Sequence, residues 1–201
     1  VEQTAAVFDL PDGRIAVKMH GFMPENGADR HEKTDRVPYK SWAQGGYCTL
    51  TPGDVTDNSY VYNWICAGER DHSWKVDEVD YDGHNATDLE IRMNEDRNRE
   101  DFCVEVAQTC AGQNLAVKTF RELLLQERLV LEESPLALWC LQNAIEIQNN
   151  YGDLKLSKRH KDDTERIDPV AAAMNALARV LLKRSPGSDI NEHVLSEDWG
   201  V

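Results

Sequence analysis

The sequence predicts a mixed α/β sheet with helices on its faces. Three observations carry that expectation. Two β-prone runs at the start are joined by a tight turn. Strand-like and helix-like patterns then alternate. An alanine-rich amphipathic stretch near the end opens on Asp168-Pro169. Strands followed by alternating helices and strands indicate a sheet covered by helices.

Taken in order, Gln3 to Leu10 and Arg14 to Met23 read as a hairpin, with Pro11-Asp12-Gly13 as its turn. The polar, Gly-containing run from Pro24 to Arg36 reads as a loop. Tyr39 to Gly53 mixes aromatics, glycines and Pro52, and predicts irregular packing or a short helix. Ser59 to Ala67 predicts a helix with Tyr60, Trp64 and Ile65 inward. Trp74 to Tyr81 predicts a strand, and this places Asp82 at its C-terminal end, where α/β folds often carry their chemistry. Gly83-His84-Asn85 is a turn, Thr87 caps a helix over Asp88 to Arg97, and Phe102 to Val106 is a short strand.

Asn114 to Glu127 predicts an amphipathic helix, with Leu115, Phe120, Leu123 and Leu124 at helical spacing. Leu129 to Leu131 reads as a strand, Pro135 to Glu146 as a helix, and Asn149 to Asp153 as a turn. Leu154 to Leu156 reads as part of a hairpin or basic loop. The last helix runs from Asp168 to about Arg184, with Val170, Met174, Leu177 and Leu181 as its buried stripe. Aspartate is a favoured N-cap and proline suits the first helical turn, so Asp168 is expected to be fixed there with its carboxylate outward. Residues 1–185 form one expected domain, and the acidic stretch 186–201 a flexible tail.

Composition narrows the function. At 201 residues and 41% hydrophobic, the chain can bury one core. It has no apolar run of membrane-spanning length and no signal-peptide pattern at its start. The five cysteines include no CxxC pair, which reads as reduced core thiols of an intracellular protein rather than zinc ligands. A net charge of −14 argues against a protein that coats nucleic acid. It leaves room for an enzyme that holds DNA through metal ions and one local basic patch. Lys155, Lys158, Arg159, His160 and Lys161 form the one dense basic cluster, shortly before Asp168. No GxxxxGK[ST] phosphate loop occurs.

Several segments in order resemble the nuclease domain of the large terminase subunit of tailed bacteriophages, which packages DNA. They are Val37-Pro38-Tyr39 with Trp42, Thr51-Pro52-Gly53, Val79-Asp80-Tyr81-Asp82, Pro135 to Trp139 with Asn143, and Lys158 followed by Arg166-Ile167-Asp168-Pro169-Val170-Ala171-Ala172. The resemblance runs up to about the last fifteen residues. It implies a ribonuclease H-like fold, with Asp82 and Asp168 as catalytic, metal-binding acids. Two magnesium or manganese ions about 4 Å apart can activate a water and stabilise the leaving oxygen of a phosphodiester. Hard cations of this kind take oxygen ligands. Such ligands must converge from different elements, because neighbours on one strand point to opposite faces.

Asp80, on the same strand face as Asp82, competes for its role, and Asp162, Asp163 or Glu165 could supply an auxiliary ligand. Lys155, Lys158, Arg159 and Lys161 are the expected phosphate contacts. The resemblance further implies double-stranded DNA, a portal protein and a small terminase subunit as partners. It also implies an ATPase domain in the same full-length chain and the cytoplasm of a bacterial host as location. The family's first acidic motif lies on a strand just upstream of what resembles Val1 to Leu10, so that strand and its acid are expected to be missing here. The alternatives are a catalytically inactive docking module of the packaging motor and another ribonuclease H-like nuclease, such as a resolvase or transposase.

Overall fold

The computed structural model describes residues 2–81, 87–106, 109–160 and 164–184. The hairpin forms as expected. Strand β1 (Glu2–Asp9) pairs antiparallel with β2 (Ile15–Pro24) across a turn in which Gly13 takes a φ of 82°. The opposite edge of β2 carries two parallel partners. Strand β6 (Leu129–Leu131) lies beside Ile15–Val17, and β3 (Cys48–Thr51) beside Gly21–Pro24. A separate parallel pair joins β4 (Val79–Tyr81) to β5 (Cys103–Glu105), and β7 (Ala144–Gln148) pairs with β8 (Leu154–Lys158) as an antiparallel hairpin.

Strand β2 is the hinge between two cores. Successive strand side chains point to opposite faces. Ile15, Val17, Met19 and Met23 enter the larger cluster, with α2 (Tyr39–Gln44), α5 (Cys110–Leu125), α6 (Pro135–Asn143) and α7 (Asp168–Arg184). Phe22, on the other face, enters a smaller cluster with α3 (Asn58–His72), α4 (Thr87–Arg97) and β5. Val170, Met174 and Leu177 of α7 are buried as the stripe predicted, with Leu181 packed against the same cluster. Among the described residues no helix is long and apolar enough to cross a membrane. Cys48, Cys103 and Cys140 are buried free thiols, and Cys66 is half-buried and free.

Four expectations are corrected. Glu25–Asp35 is a helix, α1, rather than a loop. Among its residues only Ala28 and Asp35 are buried, so it has no apolar stripe to read. Residues 74–78 are not strand, since Trp74 turns back onto α3 through the left-handed Ser73. The helix from Pro135 stops at Asn143, and the alternating residues Ala144–Gln148 pair with β8 instead. On α5, Leu115 and Leu124 are both 53% exposed, while Ala116, Val117 and Leu123 are buried. The acidic tail and the Gly83-His84-Asn85 turn lie outside the described residues.

Candidate active site

Asp168 opens α7, and its residue is exposed while Ile167 and Pro169 on either side are buried. The Ile167 carbonyl accepts the N–H groups of Val170 and Ala171, both at 2.9 Å, closing the first turn. Asp168 is therefore the first helical residue rather than the expected cap, held between two anchored neighbours on the wall of a cleft of about 1090 Å³. The walls of the cleft are β1 on one side and residues 72–81 on the other, with α7 crossing both. Among the described residues β1 pairs with β2 and β4 with β5, so each presents its other edge without a strand beside it.

Asp80 lines the same cleft and is engaged with charged neighbours. Arg179 donates to Glu78 from Nε at 2.7 Å and Nη2 at 3.3 Å, and Lys183 Nζ lies 3.1 Å from the same carboxylate. Burial opposes ionisation of Glu78, but these two cations outweigh it and hold its carboxyl below the usual value. Asp80 is pushed up to about 8, by burial first and then by the Glu78 charge beside it. Arg179 Nε is 3.8 Å from Asp80 Oδ1, too long for a hydrogen bond, and that buried oxygen has no partner among the described residues. Arg179 is eleven residues beyond Asp168, about 16 Å along the helix axis. Asp80 thus sits towards the far end of α7 from Asp168.

Asp82, Lys161, Asp162 and Asp163 lie outside the described residues. Lys155 and Lys158 are half-buried on β8, and Arg159 is exposed just beyond it. None of these three forms an ion pair among the described residues. Glu165 is occupied: its two oxygens take the His160 backbone N–H and ring nitrogen, both at 2.7 Å. The two hydrogen bonds hold its carboxyl below the usual range.

Asn143 joins the basic strand to the acid. Its backbone carbonyl accepts the Arg159 N–H at 2.8 Å, and its side-chain amide donates to the Arg166 carbonyl at 3.3 Å. Arg166 Nε reaches Asp35 Oδ2 at 3.3 Å, and the Tyr39 hydroxyl donates to the same oxygen at 2.8 Å. Tyr39, Trp42 and Trp139 pack ring against ring, with centroids 5.5 to 6.1 Å apart. Segments around residues 37–42, 135–143 and 166–168 therefore meet at the start of α7.

Residues 1–183 match the family described as terminase large subunit, endonuclease domain. The chain belongs to that family. It is similar to the large terminase subunit of Enterobacteria phage HK97, at 29% identity over 172 residues, covering 82% of this chain and 32% of the relative. The crystal structure of the HK97 bacteriophage large terminase matches with a TM-score of 0.73 at 26% identity. That match covers 89% of this chain and 36% of the other. The chain spans about a third of the length of these relatives, and it shares with them a mixed α/β sheet flanked by helices.

Within this terminase nuclease-family domain, the donors at the cleft suit a hard cation. Asp168 offers carboxylate oxygens and makes no ion pair among the described residues, whereas Asp80 lies near Arg179, towards the far end of α7, and does not join it. No group of three or more His, Cys, Asp and Glu side chains close enough to hold a metal occurs among the described residues. Sequence reasoning missed Asp35 and the Glu78–Arg179 pair. Their partners lie 131 and 101 residues away, and no local pattern marks them.

Proposed function

We propose that this domain is a metal-dependent DNA endonuclease, cutting double-stranded DNA during genome packaging by a phage large terminase. The observation that carries the reading is the placement of Asp168: an outward carboxylate on an anchored helix start, at a cleft, in a chain that belongs to this family. Asp168 and Asp82 would hold two magnesium or manganese ions, Asp82 on the strength of the family match. Bound there, such ions supply an activated water and stabilise the leaving oxygen.

The chain's own residues do the rest. Pro169 and the Ile167 carbonyl hold the helix start, so Asp168 presents its oxygens without having to reorganise. Lys155, Lys158 and Arg159 would grip DNA phosphates, which positions the duplex without reading its bases. Asn143 ties that basic strand to the turn that carries the acid, fixing phosphate contacts and metal acid relative to each other. Among the described residues the outer edges of β1 and β4, both lining the cleft, have no strand beside them. DNA, portal protein, small subunit and a linked ATPase are the partners proposed on the family match, in the cytoplasm of the bacterial host.

Supercoiled plasmid incubated with the full-length protein tests this reading. Cleavage is expected with magnesium or manganese and none with a chelator. Cleavage that persists in chelator would refute the metal-dependent mechanism. The catalytically inactive docking module is the alternative, and an intact, folded full-length protein that cuts under no metal condition would favour it.

A further inference from the structure

We propose that Asp35 and Arg166 are a positioning pair that sets where Asp168 stands, acting through the backbone that leads into α7. This rests on the reading of Asp168 as a metal-binding acid. Asp35 closes α1, and its side chain is fully enclosed, whereas that of Arg166 is 20% exposed. The Asp35 carboxylate takes Arg166 Nε and the Tyr39 hydroxyl on one oxygen, and its other oxygen has no partner among the described residues.

A buried ion pair is a poor way to gain stability, because removing both charges from water offsets most of their attraction. Apolar side chains in the same space are often as stable. What the pair adds is direction. A guanidinium is planar and rigid, so even the single Nε contact to the enclosed Asp35 carboxylate restricts how the arginine side chain can lie. Here that restriction falls on a residue two positions before the metal acid.

The Arg166 side chain is tied to α1, its carbonyl to Asn143 at the end of α6, and the next side chain, Ile167, is in the core. Anchors to three separate parts of the fold thus hold the peptide immediately before Asp168. A misplacement of about 1 Å at a reacting centre can cost a hundredfold in rate, so loosening these anchors is expected to act on chemistry more than on DNA binding.

The test compares the full-length wild-type protein with its Asp35→Asn, Arg166→Lys, Asn143→Ala and Asp168→Asn variants. Wild type without metal-dependent cleavage, or Asp168→Asn with full activity, would remove the acid to be positioned and overturn the inference along with the reading beneath it. With that reading standing, the folded Asp35→Asn and Arg166→Lys proteins are expected to turn over roughly 10- to 100-fold more slowly. Their KM for DNA should be unchanged, and the metal concentration for half-maximal rate should rise. Their double variant should be no worse than the worse single, as for residues acting as a unit. A purely structural pair would lower the melting temperature and leave turnover and metal requirement at wild-type values, and that result overturns the proposal. Should Asp35→Asn fail to fold, Arg166→Lys keeps the charge and Asn143→Ala keeps the ion pair, and the same two quantities decide.

Discussion

The Trp74 ring lies against the backbone of Gly68 so closely that a Cβ built on Gly68 would fall 2.0 Å from a ring carbon. Trp74 also packs edge-on against Trp64 at 5.0 Å and Phe8 at 5.3 Å, so one aromatic side chain joins α3 to β1 at the rim of the cleft. Gly68→Ala must displace that ring. Overpacking of this kind costs about 1–3 kcal/mol, and the better helix propensity of alanine returns at most ~1 kcal/mol. Urea denaturation is expected to show net destabilisation of about 1–2 kcal/mol, and an unchanged midpoint would show that Trp74 can move aside at no cost.

His20 gives the domain a pH-dependent stability. It is buried on β2, its Nε2 lies 2.9 Å from Thr49 Oγ1, and its ring stacks on Trp64 with centroids 5.6 Å apart. Burial, helped by the nearby Lys18 charge, pulls its pKa down to about 4. The unfolded chain takes up the proton near 6.5 and the folded one near 4, so the unfolded state binds more protons in between. Stability is full above about pH 6.5 and falls towards pH 4, by up to about 3 kcal/mol for a shift of this size. His20→Phe should flatten denaturation free energy across that window, and a slope unchanged by the substitution would assign the pH dependence elsewhere.

The legible parts of the fold were those whose signal is local. Asp12-Gly13 marked the first hairpin, and the Val170–Met174–Leu177 stripe behind Asp168-Pro169 marked α7. Helix α1 was hidden because it docks through Ala28 and a buried acid rather than an apolar stripe. Strand β7 was hidden because no Gly or Pro separates α6 from Ala144 and Ile145, which read as one more helical turn after Gln142-Asn143. In the site, Asp168 could be read from the Asp-Pro start of its helix and from its motif, although it is the first helical residue and not the cap. Asp35 could not, since an acid in a polar stretch looks solvated until Arg166 and Tyr39 are seen to enclose it.

The basic strand makes a quantitative prediction. Replacing Lys155, Lys158 and Arg159 together by alanine should weaken duplex binding at low salt by at least about 10-fold, equally for unrelated sequences. The slope of log affinity against log salt should fall by ~0.9 for each phosphate that is no longer neutralised, so about 2–3 in all. An unchanged slope would place the DNA on another face.

The nuclease reading turns on Asp168, and one substitution probes it without disturbing the fold. Asp168 is an exposed residue in the first turn of α7, where losing a charge forfeits at most ~1 kcal/mol of helix-dipole stabilisation, so Asp168→Asn should keep the melting temperature nearly unchanged while removing the charge a divalent ion needs. Plasmid cleavage by full-length wild type and Asp168→Asn should be measured side by side in manganese. Wild type is expected to cut, and the variant to lose at least ~100-fold in rate. Equal cutting by both proteins would show that Asp168 does not hold the metal.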